Sequence, residues 1–343
     1  MAKPTLAVLI FLSISLGLFT FPQSTQAGIL DDIKKRNAVV CGFRIGTPGF
    51  AAVNENGKLS GFMVDFCKAL AAATLGDANA FQAVTLPDKP LEFKAVEQHQ
   101  VDIALQTTTW TLTRDSSYNI EFIDPIFYDG QGFAILQSGT PPELTSIKDQ
   151  SICVKSPTTT HRNVIDFSNK INGNWTIREH TTFDSALQAF LAKQCLLLTT
   201  DKSVLVTSLS QYRDLGVEYH LYQGVISREP FTPYIPAGDR QWADIVRWVF
   251  TTLLVAELEG IDSVNVSEMK DSPQKGASLL NVNEKTAEKL NLPADWVYNI
   301  IHQVGNYDEI FERNLGQQSV FKMERGLNRL WRDGGLFYPV VHK

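Results

Sequence analysis

An α/β fold in two lobes of like architecture is the class this sequence predicts, and three observations predict it. Segments rich in Val, Ile and Phe that read as strands alternate with segments of helical period, which implies a mostly parallel sheet clad in helices. That alternation runs through residues 38–106 and starts afresh over residues 151–213. Two extended segments, "FYDGQGFAIL" and "GVISREPFTPYIPAG", flank the second array, as expected of strands that cross from one lobe to the other and back. The expected division is residues 28–132 with 229–343 in the first lobe and 133–228 in the second, with two crossings forming a hinge.

The elements follow in order. Residues 1–27 carry Lys3, the apolar run "LAVLIFLSISLGLF" and then "STQA", which sets Thr25 and Ala27 at the −3 and −1 places of a secretory cleavage site. The expected product is a soluble chain outside the cytoplasm, in the periplasm, and no later stretch is long and apolar enough to span a bilayer. A short helix then precedes a strand at 38–43, a turn-rich loop containing "NENGK", and a helix from about Met63. "FQAVTLP" alternates like a strand, "PLEFKAVEQHQ" has helical spacing, and "VDIALQ" reads as a buried strand. In the second array "SICVKS", "NWTIREH" and "CLLLTTD" are strands, separated and followed by the helices "TTTHRNVIDFSNKI", "FDSALQAFLAKQ" and "KSVLVTSLSQYR". The remainder, through "MERGLNRLWRDGG", is helical by periodicity, and its Trp and Phe stripes are assigned to packing.

The 343 residues carry a net charge of −6 with no long basic run, which argues against a nucleic-acid surface and favours a small-molecule or protein partner. No cofactor is implied. Four cysteines remain after cleavage, and in an oxidising compartment they permit two disulfides in three possible connectivities. Their grouping favours Cys41 with Cys67 and Cys153 with Cys195, and without a CxxC or a His at ligand spacing a metal site is disfavoured.

In parallel sheets ligands sit beyond the carboxyl ends of strands, and "TTTW", "SPTTT" and "TTD" all fall there. The guanidinium of Arg114 offers a fork that matches a carboxylate, with Thr107 and Thr109 beside it. The stretch "KSPTTTHR" reads as an N-cap, and the amides around Thr158 and Thr159 at a helix start suit an anion. Asp201 in "TTDKS" is a helix cap or, at a cleft, an acceptor for an ammonium. Fork, amide cradle and carboxylate together are the inverse of an α-amino acid.

"CGFRIGTPGFAAVNENGKLSGFMVDFCKALAAATLGDA", "TTTWTLTRD", "FYDGQGF", "TTDKS", "ISREPFTP", "GDRQWADIVRWV", "DWVYNIIHQVGNYDEIFERNLG" and "GLNRLWRDGGL" resemble the periplasmic general L-amino-acid-binding proteins of polar amino-acid ABC transporters, across nearly all of the chain after residue 27. The resemblance implies a two-lobed Venus-flytrap fold of type II. It implies that Arg114 holds the ligand α-carboxylate with Thr109 and backbone groups at Thr158 and Thr159, and that Asp201 holds the α-ammonium. It implies an aromatic near Phe50 against the ligand side chain, two disulfides within lobes, and a membrane permease as partner; a monomer is expected.

This chain departs from the family pattern at Gln106 and Thr107, where "RNTTW" is usual, and at Pro157 and His161, where "GTTTE" is usual. Met63 and Arg44 are further departures, and Lys155 resembles a lysine of related glutamine binders. Arg44 and Lys155, one on each lobe, suggest an electropositive distal pocket favouring Glu, Asp, Gln or Asn over Lys or Arg. The alternative reading is a periplasmic enzyme on the same fold, of the cyclohexadienyl or arogenate dehydratase type, with Glu55, Glu179 or His161 as general acid.

Overall fold

The computed structural model describes residues 28–86, 88–271, 277–280 and 284–340. The cleavage segment, residues 1–27, lies outside them. Two five-stranded sheets carry the fold. The first runs Phe81–Thr85, Val39–Phe43, Ile103–Ala104, Tyr234–Pro236 and Ile120–Phe122 in spatial order. Val39–Phe43 pairs in parallel with both neighbours, and the return strand Tyr234–Pro236 is antiparallel. The second repeats this plan as Thr176–His180, Ser151–Lys155, Leu197–Asp201, Gln131–Ile135 and His220–Leu221, with Gln131–Ile135 entering antiparallel. This is a two-lobed α/β fold of type II.

Between the sheets, Phe127–Asp129 pairs antiparallel with Glu229–Phe231, and Asp129 lies directly opposite Glu229 in that ladder. Beneath this pair sits an aromatic nest. Phe127 stacks on Phe231 at 5.6 Å and on Phe311 at 6.3 Å, and Phe50 and Phe62 meet Phe127 edge-on. Edge-on and offset pairs are the arrangements that the ring quadrupole favours. The first lobe's core continues under Phe62–Leu75 and Arg240–Glu259, whose long apolar faces close over the sheet.

Both cysteine pairs form as the grouping suggests: Cys41 with Cys67, and Cys153 with Cys195. Several elements differ from expectation. The loop around "NENGK" is a small hairpin of Ala52–Val53 and Leu59–Ser60, because Gly57 at φ +72° supplies the turn. "MERGLNRLWRDGG" is not a continuous helix. It makes only the short turns Gly326–Asn328 and Trp331–Asp333, since Gly326 and Gly334 take positive φ and break the periodicity. Strands Ile120–Phe122 and His220–Leu221 and the helix Leu112–Ser117 had no clear sequence signal.

Candidate ligand-binding site

The strand ends of both sheets face one another across the crossing strands, and the loops that follow them supply the polar groups. After Ile103–Ala104 the chain passes Gln106, Thr107, Thr108 and Thr109 and enters the helix Leu112–Ser117, capped by the hydroxyl of Thr111 on the Arg114 amide. Arg114 therefore sits on a helix and folds back: its Nη1 donates to the Thr109 carbonyl at 2.6 Å, and the guanidinium lies 5.6 Å from the Phe93 ring centre. Burial lowers the Arg114 pKa against the pull of Glu92, Tyr234, Glu229 and Asp201, and among the described residues it makes no ion pair.

From the second sheet, Leu197–Asp201 delivers Asp201. It does not cap the helix it precedes; its Oδ1 is buried and has no hydrogen-bond partner. Burial, then Asp129 and Glu229, push its pKa well up, while Lys89 and Arg114 pull it down. Arg114 and Asp201 thus stand close enough, from opposite sheets, for each charge to act on the other's titration. Thr158 caps the helix Thr159–Lys170 by accepting from the His161 amide at 3.1 Å. This leaves the amides of Thr159 and Thr160 without an intrahelical acceptor, a positive helix end turned toward the seam. Pro157 precedes the cap, so its lack of an N–H removes nothing from that turn.

Two hinge carboxylates that sequence reasoning passed over organise this seam. Glu229, 2% exposed, accepts from Thr109 Oγ1 of the first lobe, from Thr159 Oγ1 at 3.4 Å and Asn163 Nδ2 at 2.9 Å of the second, and from Ser227 Oγ at 2.7 Å. Asp129 accepts from the Ser203 amide at 3.1 Å, from Ser203 Oγ at 2.5 Å and from the Gly130 amide at 2.8 Å; burial raises its pKa to about 6. The available signal was an acid set inside each crossing strand, in "FYD" and "REPF". Lys89 was also missed: it is half-buried beside Glu92 at 3.0 Å, and desolvation lowers its pKa to about 8.

Arg44 and Lys155 do meet from opposite lobes, but on a carboxylate. Asp88 accepts from Arg44 Nη1 at 2.8 Å and from Lys155 Nζ at 2.5 Å, and Arg44 Nη2 lies 3.7 Å from Glu92. The expected electropositive pocket is therefore already neutralised. Phe50 needs a second correction, since it is 1% exposed inside the aromatic nest and lines no part of the opening. Thr107 is half-buried beside Gln106, whose buried amide has no partner. Of the general acids considered, Glu55 is exposed on the hairpin turn, and His161 and Glu179 lie 3.4 Å from each other.

What the seam offers is a cation at one pole, a desolvated carboxylate at the other, and amide donors between. A model of the bacterial extracellular solute-binding proteins, family 3, matches residues 39–317. The chain belongs to that family. A general L-amino acid-binding periplasmic protein, AapJ, of Rhizobium johnstonii is 38% identical to this solute-binding protein over 92% of the chain and 93% of its own length. A glutamate/glutamine/aspartate/asparagine-binding protein, BztA, of Rhodobacter capsulatus is 36% identical over 92% and 93%. Among solved structures, an ABC transporter periplasmic binding protein from Brucella ovis with glutathione bound superposes with a TM-score of 0.85, at 37% identity, covering 92% of this chain and 99% of that one. These relatives are named as binding proteins, not enzymes, and the dehydratase alternative gains no support. No helix among the described residues is long and apolar enough to cross a membrane.

Proposed function

We propose that this solute-binding protein captures an L-amino acid in the seam between residues 28–132 with 229–343 and residues 133–228, and delivers it as a monomer to the permease of an ABC transporter. Arg114 takes the α-carboxylate, with Thr107, Thr109 and the helix start at Thr158 and Thr159 beside it. Asp201 takes the α-ammonium. One observation supports the reading: a guanidinium without an ion pair and a buried, unpartnered carboxylate oxygen, carried by different sheets, lie within electrostatic reach of each other. A zwitterion satisfies both at once, and only when the lobes close, so ligand shifts the population toward the closed form. Cleavage after Ala27 would release the chain into the periplasm.

For a free amino acid, side-chain preference is set next to Arg44 and Lys155, where the short distal acid or amide competes with Asp88. The name of the Rhodobacter capsulatus relative supports that class of side chain. The glutathione in the Brucella ovis structure supports the seam from another side, because a γ-glutamyl peptide carries the same α-amino-acid head. Denaturing the purified chain and identifying the released molecule by mass spectrometry, followed by a calorimetric panel of the common amino acids, tests the reading. Failure of every amino acid to bind refutes it.

A further inference from the structure

Beside the Arg114–Asp201 seam lies an opening of about 610 Å³ that shares Thr109, Thr159 and Glu229 with it. Neither Arg114 nor Asp201 lines this space, so an amino acid held between them leaves it unfilled. Arg162, from the first turn of the helix Thr159–Lys170, and Arg228, from the returning crossover, both border it, and Trp110 of the first lobe forms another wall. Among the described residues neither of these guanidiniums has an ion pair or a side-chain hydrogen bond, whereas Arg36, Arg44, Arg247, Arg313 and Arg325 each hold a carboxylate. A lone exposed arginine is ordinarily just solvated. Two of them, brought from different elements onto one concave surface next to an indole face, form a receptor for a planar, anionic group.

We propose that this opening is a second subsite, taking the tail of a peptide-sized ligand whose α-amino-acid head occupies the seam and whose distal carboxylate is held by Arg162 and Arg228. The inference rests on the seam reading above. Glu229 stands where the two spaces join, but its four hydroxyl and amide donors shield its charge from the tail. The volume falls within the range of small-molecule sites that take ligands larger than one amino acid. A γ-glutamyl peptide has the required chemistry: a free head, amide links that lie along Trp110, and a terminal carboxylate.

The test is calorimetry on the purified chain with L-glutamate and with glutathione as probes, for the natural sequence and for Arg162→Ala, Arg228→Ala and the double variant. Each single substitution should weaken glutathione about fivefold, and the double about twentyfold, while L-glutamate stays within about twofold. Charge reversal at Arg162→Glu should weaken glutathione further, and circular dichroism should show every variant folded, since both side chains are exposed. If amino acids bind and glutathione does not, or if the variants weaken both probes alike, the subsite is refuted and the seam stands. If neither probe nor any amino acid binds, both readings fall.

Discussion

Replacing Arg114 with methionine separates binding from folding more sharply than any other change in this site. The substitution keeps an unbranched apolar stem and removes the guanidinium. For the folded state the loss is the hydrogen bond to the Thr109 carbonyl, about 1 kcal/mol, and the stacking on Phe93 is partly retained by the thioether. Against that, a cation whose burial lowers its pKa no longer has to be desolvated. The two effects oppose each other, so the melting temperature should move by only a few degrees. Binding has no such compensation. A ligand carboxylate brought into the seam would lose its counter-charge, at a cost of about 2 to 5 kcal/mol, which is about thirtyfold or more in Kd. Differential scanning fluorimetry and calorimetry on the same preparation measure both quantities. An Arg114→Met protein that binds amino acids as tightly as the natural chain, or one that fails to fold, would show that the guanidinium is a structural strut and not the carboxylate receptor.

Other outcomes follow from the same geometry. Asp201 has a raised pKa in the unliganded seam and must be ionised to hold an ammonium, so ligand binding should release protons at a pH above the ordinary carboxylate range, and affinity should rise with pH as Asp201 ionises; calorimetry in buffers of different ionisation enthalpy measures the release, and Asp201→Asn should abolish most of it. Asp88→Asn leaves only the more distant Glu92 to offset Arg44 and Lys155, which should weaken neutral amino acids about threefold, favour acidic ones relative to them, and increase the radius of gyration of the ligand-free chain in X-ray scattering; unchanged selectivity would show that Asp88 does not compete with ligands. Reducing the disulfides should cost about 3 to 4 kcal/mol each, given sequence separations of 26 and 42, and since each bridge lies within one lobe, calorimetry should find ligand affinity nearly unchanged wherever the chain stays folded.

Most strands of both sheets are legible in the sequence, because periodic and continuous apolar runs record burial directly, as in "SICVKS", "FDSALQAFLAKQ" and "CLLLTTD"; the edge strands Ile120–Phe122 and His220–Leu221 are too short to carry such a pattern. Arg114, Asp201, Thr109 and Thr159 could be singled out because they follow or end strands of the two sheets, and position in a parallel sheet is itself information; that Arg114 and Thr159 stand in the first turn of helices there adds to it. The charge balance of the seam could not be read in this way. Asp88 is separated from Lys155 by 67 residues, and Thr109 from Glu229 by 120; which acid meets which cation or donor is decided by tertiary packing, not by any local pattern. Arg44 and Lys155 were placed correctly at the seam and wrongly as free charges for that reason. Phe50 misled differently: the resemblance implies an aromatic there against the ligand side chain, yet Gly61, whose Cβ would come within 2.2 Å of the Phe50 carbonyl oxygen, lets the backbone press inward and carries the ring into the core.

The aromatic nest has a mechanical consequence. Phe127 and Phe231 are clamped by Phe50, Phe62 and Phe311, so the ends of the crossing strands nearest the first lobe are rigid. Just beyond them, Gly130 lies so close to Val225 and Ser227 that any side chain there would collide with both. Any rotation of one sheet relative to the other would therefore have to turn beyond the clamped Phe127 and Phe231. A fulcrum placed at the edge of one body turns a rotation of a few degrees into a much longer sweep at the far rim of the other, and it is that rim, not the pivot, that a membrane partner standing above the cleft would feel.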